Sequence, residues 1–255
     1  MGRFTHRRAA SAAGALRQPA PRLPIEASLR ARFLRRYKRF LADVVTEDGR
    51  ELTVHCPNPG SMLGFHRPGA AVRCSTSDDP RRKLRHTLEM MRVGRVWVGL
   101  HASRANAVAA RALAAGQPRE LAGYATCTPE VRAGSRSRLD FHLTRHRRGR
   151  PDCWVEVKSV TLAESGVAMF PDSVTERGRR HLAVLSDLAR GGERAAMLFL
   201  VQRADCHSVR PADEIDPDYG AALRAAARAG VELFALSARV TGRAITVERR
   251  LPVRL

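Results

Sequence analysis

Residues 195–201 read Ala-Ala-Met-Leu-Phe-Leu-Val, seven apolar side chains with no polar position among them. A half-solvated strand alternates apolar and polar residues, so a run without alternation is a strand covered on both faces. Such strands need helices above and below, and the flanking chain supplies them. Residues 105–115 form an Ala-rich helical segment stopped by Gly116. Ser173-x-x-Glu176 has the pattern of a capping box opening a second helix, with Val174, Gly178, His181, Leu182, Leu185, Leu188 and Ala189 on its apolar side. Pro217 and Gly230 bracket a third helix, and residues 231–236 read as another strand. Residues 101–255 are thus expected to form an α/β domain with a central mixed sheet.

Residues 25–100 differ in kind. Short apolar runs at 40–45, 52–55, 70–72, 88–93 and 96–100 are separated by turn signals at Asp48-Gly49, 57–60 and Pro68-Gly69. That spacing predicts a small β domain, an OB-like barrel of the kind that binds oligonucleotides. Residues 1–24 carry five arginines and no acid and are expected to be a disordered basic tail. No apolar run approaches the ~20 residues of a membrane helix, and no secretory signal is present. The five cysteines are scattered without close pairs, which argues against a zinc site or disulfide framework and for a cytoplasmic protein with reduced thiols.

Lys and Arg number 45 against 25 Asp and Glu, a formal charge of +20. This balance makes nucleic acid the expected partner, DNA ahead of RNA, and no membrane. Only Lys38, Lys83 and Lys158 are lysines; the other basic residues are arginine. Where arginine is so dominant, a lysine marks a place that a planar, permanently charged fork does not suit.

The chemistry concentrates in residues 137–143 and 153–159, two alternating segments joined by a polar turn. An antiparallel hairpin centred on position 148 sets Leu139 opposite Val157, Phe141 opposite Val155 and Leu143 opposite Cys153, one wholly apolar face. The other face then sets Asp140 opposite Glu156 and Arg138 opposite Lys158. Directly opposed side chains have Cβ atoms roughly 5 Å apart, so the two carboxylates can converge on one hard cation such as Mg²⁺ or Mn²⁺. Without a cation they repel, and one tends to hold a proton. The alternative is a solvated Asp–Lys–Glu network. Glu130 is either a further metal carboxylate or an exposed strand-start acid, and His181 is expected as a satisfied core histidine.

Asp140, then Glu156-x-Lys158, resembles the PD-(D/E)xK nuclease superfamily, which implies metal binding by Asp140 and Glu156 and orientation of the attacking water by Lys158. Seven segments in order (36–43, 55–62, 120–124, 137–141, 155–158, 170–178 and 212–217) resemble the bacterial and archaeal sugar fermentation stimulation protein family. The resemblance implies an OB-like domain followed by a nuclease-like domain, DNA binding, and regulation of sugar (maltose) metabolism. The chain departs from the family pattern at Pro59, where Thr is usual, and at His101-Ala102, where Asn-Thr is usual.

Two clusters are candidate nucleic-acid contacts. Arg36, Lys38 and Arg39 interleave with Phe33, Tyr37 and Phe40, a mixture of cations and stacking platforms. Arg136 and Arg138 belong to an excess of six positive charges over residues 131–150, with Arg177 on the second helix. The expectation is a largely sequence-independent DNA-binding protein with a nuclease-like metal site; the alternative is a Mg²⁺- or Mn²⁺-dependent phosphodiesterase cutting DNA or RNA.

Overall fold

The structure, a computed structural model, describes residues 19–65, 67–134 and 137–255. The described chain opens with β1 (Arg22–Pro24), which pairs antiparallel with the last strand of the molecule. Leu23 packs beside Ile25 and Ala27, which are buried in the core of the second domain. Residues 22–27, expected in a tail and a barrel, therefore belong to the α/β domain, because their small apolar side chains find cover only there. The expected tail before residue 19 lies outside the described residues.

The barrel comprises β2 (Leu29–Tyr37), β3 (Leu41–Thr46), β4 (Glu51–His55), β5 (Ala71–Thr76) and β6 (His86–Val93). Their order is β4-β3-β2-β5-β6, and a parallel contact between His55 and Thr87 closes the ring. A further strand, β7 (Val96–Gly99), pairs with β6. The strand not expected from the apolar runs is β2, whose cations point out while Ala31 and Phe33 turn into a core with Val44, Val54, Val72, Leu88 and Met91.

The second domain runs α1 (Ala102–Ala114), β8 (Tyr124–Ala133), β9 (Ser137–His146), β10 (Cys153–Val160), β11 (Ala163–Glu164), β12 (Val167–Phe170), α2 (Glu176–Arg190), β13 (Arg194–Val201), β14 (Ser208–Pro211), α3 (Pro217–Arg228), β15 (Glu232–Val240) and β16 (Ala244–Leu251). Its seven-stranded sheet has the order β1-β16-β15-β13-β10-β9-β8, and a small second sheet joins β11, β12 and β14. Within the large sheet β13 pairs parallel with β10 and β15, and the remaining ladders are antiparallel. The apolar run of β13 is covered on both faces: Ala196, Leu198 and Leu200 join the core beneath α1, while Met197, Phe199 and Val201 join that beneath α2 and α3. α3 is capped by Asp216, whose carboxylate accepts from the Tyr219 amide at 2.9 Å.

α2 begins later than its sequence suggests. Thr175 is the cap, accepting from the Gly178 amide at 3.0 Å, and Ser173 stays exposed in the preceding loop. Asp216 decides this, because its carboxylate accepts from the Thr175 amide at 2.8 Å and fixes that residue at the helix entrance.

Candidate metal and nucleic-acid site

The β9–β10 hairpin has the expected register where it is paired, with Cys153 opposite Leu143, Trp154 opposite His142 and Val155 opposite Phe141. The ladder ends there. The Asp140 carboxylate replaces the next rung, its Oδ2 accepting from the Val157 amide at 2.7 Å. On the other side Glu130 adopts a left-handed φ of 56°, and the Glu130/Asp140 position drops out of the β8–β9 ladder. The kink sends Leu139 and Phe141 to opposite cores, not to one apolar face, and sets Asp140 at the crossover. Asp140 and Glu156 thus approach through a strand break and not as a regular opposed pair.

Asp140 Oδ1 accepts from Asn106 Nδ2 on α1 at 2.6 Å. Glu156 is 3% exposed and points toward α2. Its Oε1 accepts from Lys158 Nζ at 2.6 Å and from His181 Nδ1, whereas its Oε2 is buried without a hydrogen-bond partner. Arg177 Nε donates to His181 Nε2 at 3.4 Å. Burial, together with the Glu156 charge, pushes Asp140 up to about 6. Burial would also raise Glu156, but the His181 hydrogen bond and the Lys158 ammonium outweigh it and hold that carboxyl below its usual range. One acid is therefore stabilised as an anion, and at the other burial and the field of that anion outweigh two hydrogen bonds and the Lys158 charge. His181 is the satisfied buried histidine expected, but its partner is the site glutamate. Asn106 gave no sequence signal beyond its place on an Ala-rich helix.

Asp140, Glu156 and Lys158 line one cleft of about 520 Å³ between the domains, together with Asn106 and Arg177 from the second domain and Arg39, Asn58 and Gly60 from the barrel. The walls are tied to each other, since Ser61 Oγ and the Met62 amide both donate to Asp172. A Cβ at Gly60 would run into the Asp172 carboxylate, so a side chain there would displace the acceptor of the Met62 amide.

The candidate cations separate into groups. Arg39 and Arg177 line the cleft, Lys38 is exposed beside Arg39, and the Arg39 guanidinium lies 5.6 Å from the ring centroid of the half-exposed Phe40. Arg36 serves differently, donating to the carbonyls of Arg39, Asn58 and Gly60, so it braces the cleft wall and has little left for a phosphate. Arg138 is not opposite Lys158; it lies outside the cleft and 3.8 Å from the exposed Glu130. That exposure makes Glu130 a surface acid and not a site ligand. Arg136 lies outside the described residues. Arg147, Arg148 and Arg150 occupy the turn of the hairpin, seven or more residues from Asp140 along a strand rising ~3.3 Å per residue, so this part of the local charge excess lies roughly 25 Å from the site it was expected to flank. Phe33 is core, and Tyr37 donates to Asp43 at 3.1 Å.

The residues fit a hard divalent cation. Both carboxylates line the cleft, one oxygen is buried and unpartnered, and burial with the neighbouring Glu156 charge outweighs the Lys158 ammonium at the other acid. Among the described residues no group of three or more His, Cys, Asp or Glu is gathered for metal binding. Such a donor set suits an ion that keeps several waters and completes its shell with phosphate oxygens, as Mg²⁺ does. The described cysteines are all free, and no described helix is long and apolar enough to cross a membrane.

Comparison with known proteins agrees with this division. Residues 34–100 match the model of the SfsA N-terminal OB domain, and residues 103–244 that of the sugar fermentation stimulation protein RE domain. A sugar fermentation stimulation protein homolog from Halorhodospira halophila is 53% identical over 226 residues, covering 88% of this chain and 94% of the relative. One from Geobacter sulfurreducens is 48% identical over 220 residues, covering 86% and 93%. The solved structure of Pyrococcus furiosus SfsA in complex with Ca²⁺ is similar with a TM-score of 0.81 at 28% identity, over 91% of this chain and 98% of that one.

Proposed function

The chain belongs to the sugar fermentation stimulation protein family, and from there we propose that its interdomain cleft binds DNA largely without regard to sequence and hydrolyses phosphodiesters with Mg²⁺ or Mn²⁺ held by Asp140 and Glu156. The observation carrying this reading is the buried, unpartnered Glu156 Oε2 beside a second carboxylate that burial and charge push up to about 6. A desolvated oxygen without a partner is costly unless something binds it. The Pyrococcus furiosus relative was solved in complex with Ca²⁺, a cation of the oxygen-seeking class that this donor set suits.

When bound, the cation would lower the pKa of a water and polarise the scissile phosphate. The chain's own residues do the rest. Asn106 and the Val157 amide fix the Asp140 carboxylate. Lys158, held 2.6 Å from Glu156, lines the cleft and stabilises negative charge as it develops on the phosphate. Arg39 and Arg177 on the cleft walls hold neighbouring phosphates and supply a sequence-independent term. The second reading, a DNA-binding regulator of sugar metabolism that does not cleave, draws on the same two arginines.

Labelled single- and double-stranded DNA and RNA, incubated with and without Mn²⁺, separate the two. Cleavage that requires Mn²⁺ and is lost in Asp140→Ala and Lys158→Ala is the expected result. Intact substrate with retained binding supports the regulator instead. Binding should weaken with salt at a log–log slope of about −0.9 per phosphate neutralised on duplex DNA.

A further inference from the structure

We propose that His181 is a positioning residue for the cation site: it locks the Glu156 carboxylate so that Oε2, and not Oε1, is presented to the metal. The inference rests on the reading of Asp140 and Glu156 as metal ligands. Glu156 has two oxygens in unequal surroundings. Oε1 receives both the Lys158 ammonium and His181 Nδ1, and Oε2 receives nothing although it is buried. A carboxylate free to rotate would spread its donors over both oxygens, and this one has been turned.

The hydrogen bonding of the imidazole specifies which nitrogen does this. Lys158 Nζ and Arg177 Nε each lie 3.4 Å from one ring nitrogen, Nδ1 and Nε2, so these two donors do not distinguish the nitrogens. The Glu156 carboxylate can only accept, which puts a hydrogen on the nitrogen that faces it. Nδ1 therefore donates to Glu156 Oε1, and Nε2 is left to accept from Arg177. His181 is itself sealed, 6% exposed on the inner face of α2, within the core that includes Leu182 and Leu185. It lies outside the lining of the cleft and does not touch substrate. Lys158 cannot replace it: its flexible ammonium sits on the same oxygen and is a point charge without a fixed donor direction. The outermost member of the chain, Arg177, is on the cleft wall, so the series Arg177–His181–Glu156 runs from a cleft-lining cation to Oε1 of the carboxylate whose other oxygen is left for the metal.

Hydrogen-bonding partners behind a metal ligand typically contribute 10–100-fold to metal affinity. Mn²⁺ binding to the full chain, measured by titration calorimetry without nucleic acid, tests the proposal apart from any cleavage. His181→Leu removes the donor and should weaken Mn²⁺ binding roughly 10–100-fold. His181→Asn, whose side-chain N–H reaches the place of Nδ1–H, should stay within about threefold of the wild type, on the order of the uncertainty in such effects. His181→Gln, whose N–H falls at the place of Nε2, should bind as weakly as His181→Leu. The Asn and Gln pair decides the matter even if the leucine variant does not fold. Equal Mn²⁺ affinity in wild type, Asn and Gln variants overturns the positioning role while leaving the cation site standing. Absence of Mn²⁺ binding by the wild type, or binding unaffected by Asp140→Ala, overturns the cation site itself.

Discussion

Glu89 and Glu156 are both carboxylates sealed in the protein, at 2% and 3% exposure, and they are finished in opposite ways. Glu89, on β6 of the barrel, receives a two-pronged contact from Arg104 of α1, with Nε and Nη2 each 2.6 Å from a different oxygen, and Ser75 adds a bond of 2.7 Å. Both of its oxygens are occupied. Glu156 has two donors crowded on one oxygen and none on the other, with Asp140 close enough to be raised by its charge. The first arrangement closes on itself and fastens the two domains together. The second leaves an oxygen open, the place where the proposed cation would bind. Burial of an acid does not distinguish the two sites; the distribution of partners over its two oxygens does.

The largest effect should come from the closed site. Glu89→Gln leaves the Arg104 guanidinium without its counter-charge at the domain junction, and breaking a buried pair from one side costs about 3–5 kcal/mol. The partial exposure of Arg104, at 24%, places the expected loss near the lower figure. Urea denaturation measures it, and a loss below about 1 kcal/mol, the range of exposed pairs, would erase the distinction drawn between the two glutamates.

The open site should show itself in the pH dependence of stability. An unfolded aspartate titrates near ~3.9, whereas Asp140 in the folded chain is pushed up to about 6 by burial and by Glu156. Between these values the folded state binds more protons than the unfolded state, so this group's contribution to stability falls as pH rises from about 4 to about 6. Two pKa units correspond to at most ~2.7 kcal/mol. Asp140→Asn carries no such term, so its stability relative to wild type should improve by about 1–2 kcal/mol between pH ~4 and ~7 in chelator. Saturating Mn²⁺ should reverse the difference, since a ligand stabilises only the form that binds it. A difference that stays flat across this range would mean that Asp140 is as well compensated as Glu89.

Much of this contrast was legible in the sequence, for identifiable reasons. The apolar run of β13 and the alternation around Phe141 and Val155 are period signals, and they indicated the layered domain and the register of the hairpin. The kink at Asp140 was not legible, because it depends on Glu130 in a neighbouring strand adopting a left-handed backbone. Arg36 and Arg39 look alike in sequence, yet Arg36 spends Nε and both terminal nitrogens on carbonyls of the cleft wall. Arg39 gives its Nε to the Pro59 carbonyl at 3.0 Å and itself lines the cleft; only the fold distinguishes them. His181 was legible as a buried histidine on an apolar helix face, but its partner is 25 residues away on another element. Glu89 gave a signal that could have been read: a lone acid between Leu88, Met90 and Met91 predicts a buried partner.

The smallest expected effect concerns the element that links the two sites. α1 carries Arg104, which holds Glu89, and Asn106, which holds Asp140, only two residues apart. Its cap is His101, which makes no side-chain bond to the first-turn amides; its Nδ1 instead lies 3.0 Å from Ser103 Oγ. Asparagine is among the best residues at this position, and restoring a side-chain cap is worth about 1 kcal/mol. His101→Asn should therefore raise the urea midpoint by an amount equivalent to about 0.5–1 kcal/mol, the lower part reflecting the smaller volume of asparagine in a partly buried site. Because capping acts on the first turn, it should firm the Arg104–Glu89 contact and leave Mn²⁺ affinity unchanged. If affinity rises with stability, Asn106 is not yet held in place by α1 in the wild type, and the open site owes part of its character to a helix that begins without a cap.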